Sequence, residues 1–181
     1  MAMAAMREGV SLVVMGVAGC GKSTVAARAA QRLGLPLVEG DDFHSPASVA
    51  KMRAGEPLTD ADRAGWLARL ADELAARPAG AVLSCSALKR AYRDRLRAAS
   101  PGLRFAYLEL SPALAHARVQ ARQAHFFPDA LIESQFATLE PPLGEPGVLV
   151  LDAQGAPEDL AAAIGAWWAG EGAPQSAAAG G

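Results

Sequence analysis

Eight consecutive residues near the amino end have the types and spacing to hold a polyphosphate. Gly16-Val17-Ala18-Gly19-Cys20-Gly21-Lys22-Ser23 fits GxxxxGK[ST], follows an apolar run and precedes an amphipathic one. Glycines at 16, 19 and 21 permit backbone conformations and a close approach that a Cβ would block, so successive N–H groups can converge on phosphate oxygens. A helix beginning near Lys22 adds only about half a positive charge at its N-terminus, far less than a triphosphate carries. Lys22 must therefore supply a full cation and Mg²⁺ the remainder, with the Ser23 hydroxyl as the expected metal ligand. Thr24 either reaches an α-phosphate or is an ordinary helix residue. Cys20 reads as a compact loop residue, because no resolving cysteine lies nearby.

A phosphate loop does not say which group receives the phosphoryl. At the end of a second predicted strand stand Gly40-Asp41-Asp42-Phe43-His44, two carboxylates and an imidazole at the sheet edge where open α/β folds bind ligands. A carboxylate there can hold Mg²⁺-bound water or take the proton of an attacking hydroxyl. The alternative is that the Asp pair caps a helix starting near Ser45.

These groups need a scaffold, and five short runs read as strands: 10–15, 35–39, 81–85, 103–110 and 147–151. Most are continuously apolar, as strands covered on both faces must be. Helical patterns lie between them at 22–33, 60–77, 87–99, 112–124, 129–138 and 158–169, which predicts an α/β fold with a five-stranded parallel sheet and right-handed crossovers. Thr59 and Asp62 are spaced as a capping box, ahead of an inward stripe of Trp66, Leu67, Leu70 and Leu74. With 181 residues, 51% hydrophobic and 20% charged, the chain is expected to form one domain, with its core at about 10–169 and flexible tails at 1–8 and 170–181. A formal net charge of −2 argues against nucleic-acid or polybasic membrane binding. Two distant cysteines make no disulfide framework, so a cytoplasmic setting is expected. The uncharged run 9–21 is too short to span a membrane, and a lipoprotein-type cleavage at Cys20 would sever the phosphate loop.

Further motifs carry a resemblance. Gly40-Asp41-Asp42-Phe43-His44, Lys51-Met52, Gly55-Glu56-Pro57-Leu58, Asp60, Asp62-Arg63, Trp66-Leu67, Cys85-Ser86-Ala87-Leu88-Lys89, Tyr92-Arg93-Asp94, His125-Phe126-Phe127, Ser134-Gln135-Phe136 and Thr138-Leu139-Glu140 resemble the thermoresistant-type gluconokinases over about 12–152. The resemblance implies a three-layer P-loop kinase fold similar to that of shikimate kinase, with a short lid. It also implies ATP-dependent phosphorylation of D-gluconate to 6-phosphogluconate, and a homodimer. Two positions depart from the family pattern: Ser48 stands where Asn is common, and Gly65 where Pro is common.

Gluconate is a linear polyol with a carboxylate at one end and a primary hydroxyl at the other. Its site needs a cationic end, hydroxyl partners, and a base near the γ-phosphate. Asp41 is the expected base and metal partner, Asp42 a metal or hydroxyl partner, and His44 a hydroxyl ligand. Lys51, Arg53, Arg63, Lys89 and Arg93 are candidates for the carboxylate, with Arg63 and Arg93 favoured because a guanidinium can grip it bidentately. Arg118 and Arg122 lie one helical turn apart, before His125-Phe126-Phe127-Pro128. They are expected on a lid at about 118–130 that adds positive charge and excludes water, the alternative being a surface helix whose arginines pair with nearby acids; His125 is a substrate contact or has a packing or hinge role. Rival readings are a kinase for another small anion, such as shikimate or a nucleoside monophosphate, and a nucleotide-binding regulator without turnover.

Overall fold

The computed structural model describes residues 9–122 and 128–170. Among them five strands, β1 (Leu12–Met15), β2 (Leu37–Glu39), β3 (Val82–Ser84), β4 (Arg104–Glu109) and β5 (Val148–Asp152), form one parallel sheet in the order β2-β3-β1-β4-β5. β1 is central and wholly buried, pairing through Val13 with Leu83 of β3 and Phe105 of β4. Its continuous Leu-Val-Val-Met run reflects that position, since both faces are covered by helices. Because β1 passes to β2 on one side and the chain later crosses to β4 on the other, the connections leaving the carboxyl ends of the strands diverge around β1. A crevice opens there.

Seven α-helices are described: α1 (Lys22–Leu33), α2 (Pro46–Arg53), α3 (Asp60–Ala75), α4 (Arg90–Ala99), α5 (Pro112–Ala121), α6 (Asp129–Thr138) and α7 (Pro157–Trp168). α1 packs on α7 and α3 on α4, giving a helical layer on each side of the sheet. The bounds of α1 and α6 are those expected from the sequence. α3 starts where the capping box places it: the Thr59 side chain accepts from the Asp62 N–H, the Asp62 carboxylate accepts from the Thr59 N–H, and Trp66, Leu67, Leu70 and Leu74 are buried. The expected 1–8 tail, and the other tail beyond residue 170, lie outside the described residues.

Two local features extend the sheet edge: the helix expected near Ser45 forms, capped by Ser45 and not by the Asp pair, and an unforeseen 3-10 turn precedes it. A 3-10 turn at Gly40–Phe43 and the helix α2 follow β2 directly. Residues 46–53 carry no apolar stripe, and only Ser48 is buried, so periodicity gives α2 no signal; Pro46 at its first turn and the Ser45 cap do. Ser48 serves this cap, donating its N–H to the Ser45 Oγ at 3.1 Å. Gly65 sits on the open side of α3, with nothing within 4 Å of where a Cβ would be. Neither departure from the family pattern reaches the crevice.

α4 begins three residues later than expected because Ala87, fully buried, takes a left-handed conformation (φ 46°). Arg93 holds this turn. Its guanidinium is fully buried and donates to the Ala87, Leu88 and Glu140 carbonyls and to both Glu145 oxygens, at 2.6–3.2 Å. Arg97 joins the same carboxylate at 2.9 Å. Every donor group of Arg93 is thus committed inside the protein, which corrects its expected role: it cannot grip a substrate carboxylate. Burial alone would push the Glu145 carboxyl up, but hydrogen bonds from Arg93 and Arg97 hold it net below the ordinary value. That stabilisation is complete above the unfolded-state pKa and is lost as pH falls through the lowered folded value. Glu145→Gln leaves a buried guanidinium uncompensated and is expected to cost about 3 kcal/mol or more at neutral pH in urea unfolding. Turnover per folded molecule should not change, because Glu145 lies outside the crevice.

Candidate active site

β1 ends in the glycine loop because nothing larger fits. A Cβ on Gly16 (φ 152°) would meet the Cys20 Sγ at 2.6 Å and the Leu108 carbonyl at 3.0 Å. Gly21, left-handed at φ 87°, turns the chain into α1, so Lys22 is the first helical residue. Cys20 is buried beneath the loop. Cys85 is also buried and free, its thiol pushed up to about 12 by burial, and so stays neutral.

Ala18, Gly19, Gly21, Lys22, Ser23 and Thr24 line one cavity with Asp41, Val119 and Arg122. The Ser23 Oγ donates to Glu39 Oε1 at 3.1 Å and lies 3.4 Å from the Ser84 Oγ. Glu39 and Ser84 close β2 and β3, and the sequence reading missed both. Their signal was position, a polar residue at the carboxyl end of each strand beside β1.

A second cavity of about 360 Å³ adjoins the first, within the usual ~300–1,000 Å³ of small-molecule sites. Ala18, Lys22 and Asp41 line both. Around the second stand His44, Arg53, Arg63, Trp66, Ser86, Ser134 and Gln135. Gly40 makes this possible, since a Cβ there would strike the Ser84 carbonyl at 2.3 Å, and only glycine lets β2 turn against β3. The Trp66 indole N–H donates to the Gly40 carbonyl at 2.8 Å, and its ring stacks on His44 with centroids 4.4 Å apart. His44 Nε2 lies 3.7 Å from the Asp41 carboxylate, while the buried Nδ1 has no partner among the described residues. The His44 imidazole beside it, together with the Lys22 charge, outweighs desolvation and holds the Asp41 carboxyl below the usual range, although that side chain is largely open to solvent.

The basic candidates separate cleanly. Arg63 is 8% exposed, lines the second cavity, and lies beside Tyr92, its Nη1 3.4 Å from the phenol oxygen. Tyr92 in turn hydrogen-bonds Asp60. Arg53 lines the same cavity. Lys89 pairs with Asp60 at 3.0 Å, and Lys51 with Asp62 at 2.9 Å. The Asp62 carboxyl is held down to about 2 by the Thr59 N–H and then by Lys51. Both lysines thus lie outside the cavity, as does the exposed Asp42, contrary to the substrate contacts expected of them.

Arg118 also departs from expectation. Its guanidinium donates to the Gly19 carbonyl at 3.2 Å and to the Ala153 carbonyl at 2.7 Å, tying the loop to the turn after β5. The structure does not bring it to the cavity lined by Lys22 and Asp41. With Thr24, Arg122, Gln154, Gly155 and Leu160 it lines a third cavity next to the loop. Arg122 alone of the pair lines the cavity with Lys22 and Asp41. His125 lies outside the described residues.

Comparison with known proteins fits this arrangement. An AAA domain family model matches residues 12–142. A gluconokinase of Gluconobacter oxydans is 52% identical over 134 residues, 72% of this chain and 75% of its own length. The thermoresistant gluconokinase of Escherichia coli is 42% identical, over 77% of this chain and 82% of its own. The chain belongs to the gluconokinase family. The crystal structure of a gluconokinase from Sinorhizobium meliloti superposes with a TM-score of 0.82 at 43% identity, covering 91% of this chain and 96% of that one. The fold is therefore the gluconokinase P-loop kinase fold, whose family uses ATP. Among the described residues, no helix is long and apolar enough to cross a membrane.

Proposed function

We propose that the protein transfers the γ-phosphoryl group of ATP to the 6-hydroxyl of D-gluconate, releasing ADP and 6-phospho-D-gluconate. The observation that carries this is the wall common to two cavities: Ala18, Lys22 and Asp41 stand between a phosphate cradle and a pocket of about 360 Å³ in which His44, Arg63, Ser86 and Gln135 offer polar contacts among apolar side chains such as Met52, Leu58 and Leu131. The adenine falls to the third cavity, whose Arg118, Gln154 and Leu160 mix apolar and polar contacts.

Gluconate lies with its carboxylate toward Arg63 and its primary hydroxyl toward Asp41. Arg63 is buried with most of its donors unused among the described residues, and such a guanidinium favours an anionic partner. Arg63→Met is expected to raise the KM for gluconate about 100-fold, the loss of one charge-assisted contact, while the KM for ATP stays within a fewfold. A gluconate KM unchanged in steady-state kinetics would remove the carboxylate from Arg63.

Asp41 faces the hydroxyl as an anion. Held below its usual pKa, it is a weak base, so its larger contribution is to orient the hydroxyl and to receive the proton as the new bond forms. Phosphoryl transfer passes through a loose transition state whose charge sits on the transferred oxygens, and Lys22 and Arg122 line the cavity where that charge develops. The oxygen donors of Ser23 and Asp41 suit Mg²⁺, which binds hard oxygen and keeps several waters or phosphate oxygens as ligands. When bound, Mg²⁺ would neutralise charge on the phosphates. The same reading has a homodimer in the cytoplasm, an assembly that light scattering tests.

Acceptor-dependent ADP release, measured with gluconate, shikimate and a nucleoside monophosphate, tests the assignment. Turnover with gluconate alone is expected. Turnover with shikimate or the monophosphate instead, or nucleotide binding with no acceptor-dependent release, would replace it.

A further inference from the structure

One contact across the crevice is not used by the chemistry above. The Ala18 N–H donates to Gln135 Oε1 at 2.7 Å, joining the front of the glycine loop to α6 across 117 residues. The donor decides the orientation of the carboxamide. An amide N–H needs an acceptor, so the oxygen of Gln135 must face Ala18, and its nitrogen, a donor only, must face elsewhere. That nitrogen has no partner among the described residues, and Gln135 lines the second cavity together with Lys22, Asp41 and His44.

We propose that Gln135 is a second anchor for the attacking hydroxyl, its Nε2–H donating to that oxygen while Asp41 accepts the hydroxyl proton. The inference rests on the kinase reading and deepens it. A primary hydroxyl has one donor and two lone pairs. Asp41 alone fixes the O–H direction and leaves rotation about it free. A donor on one lone pair stops that rotation and leaves the other lone pair for phosphorus. Because the same carboxamide is tied to Ala18, the hydroxyl is indexed to the loop that holds the phosphates. Misplacement of a reacting atom by about 1 Å can cost about 100-fold in rate.

Two variants of near-equal length separate donation from the tie to the loop. Gln135→Glu keeps an acceptor for the Ala18 N–H and removes the donor; Gln135→Met removes both. For each, gluconate-dependent kcat, gluconate KM, ADP affinity by calorimetry and melting temperature are measured beside the wild type. Gln135→Glu is expected to lose about 100-fold or more in kcat, with ADP affinity within threefold and an unchanged melting temperature. Gln135→Met is expected to lose at least as much kcat. If Gln135→Glu turns over within threefold of wild type while Gln135→Met alone loses activity and ADP affinity, Gln135 only braces the loop and the proposal is overturned. Should Gln135→Glu not fold, Gln135→Met decides: a kcat within threefold of wild type overturns the proposal, and a 100-fold loss with ADP affinity retained supports it. A wild type with no gluconate-dependent release would instead refute the substrate assignment, which the same assay reads separately.

Discussion

Lys22→Ala is expected to lower gluconate-dependent turnover about a thousandfold or more, which corresponds to about 4 kcal/mol of lost transition-state stabilisation. The size follows from charge. The α1 N-terminus offers about half a positive charge, whereas Lys22 offers a whole one at the wall shared by the phosphate and acceptor cavities. Arg122 lines the phosphate cavity as well but is exposed, so solvent screens it and it cannot replace the lost cation. Folding should be little affected, because Lys22 has no ion pair within 4 Å among the described residues. The check is a single-turnover measurement with melting temperature recorded alongside. Activity within tenfold of wild type would mean that phosphate is held elsewhere.

Asp41→Asn comes next in size. It is expected to reduce kcat about 100- to 10,000-fold, the range for loss of a positioned proton acceptor, while ADP affinity shifts only a fewfold. The amide keeps the shape and can still touch the hydroxyl, but it takes no proton and carries no charge beside Lys22. Since the carboxyl is held below its usual range, the wild type should show no activity loss from Asp41 protonation until the pH falls below about 4, the ordinary aspartate value. An acid limb near neutrality in the kcat profile would therefore belong to another group. Equal losses in kcat and ADP affinity for Asp41→Asn would point to a role in nucleotide binding instead.

Residues acting through near neighbours were legible from the chain. The phosphate loop, the start of α1, the capping box of α3 and the buried strand runs each depend on contacts within a few positions. The pair formed by Gly40 and Asp41 was legible as a site because it follows a predicted strand. Arg63 and Arg93 illustrate the limit. Both sit on amphipathic helices among similar neighbours, and both could have gripped a carboxylate. What separates them is Glu145, 52 residues beyond Arg93, which takes that guanidinium into the interior. Lys51 and Lys89 were diverted in the same way by Asp62 and Asp60. Arg118 was diverted by backbone carbonyls, which have no sequence signature at all.

By itself, then, the amino-acid order determined the phosphate-binding loop, the alternation of buried strands with helices, and the acid at the tip of the second strand, since each arises from short-range backbone geometry and local hydrophobic period. Only the tertiary structure decided the strand order, which cation faces the acceptor pocket, and the reach of Gln135 to Ala18. These rest on pairings between distant segments, where a charge or an amide goes to whichever partner the folded chain brings within about 3 Å.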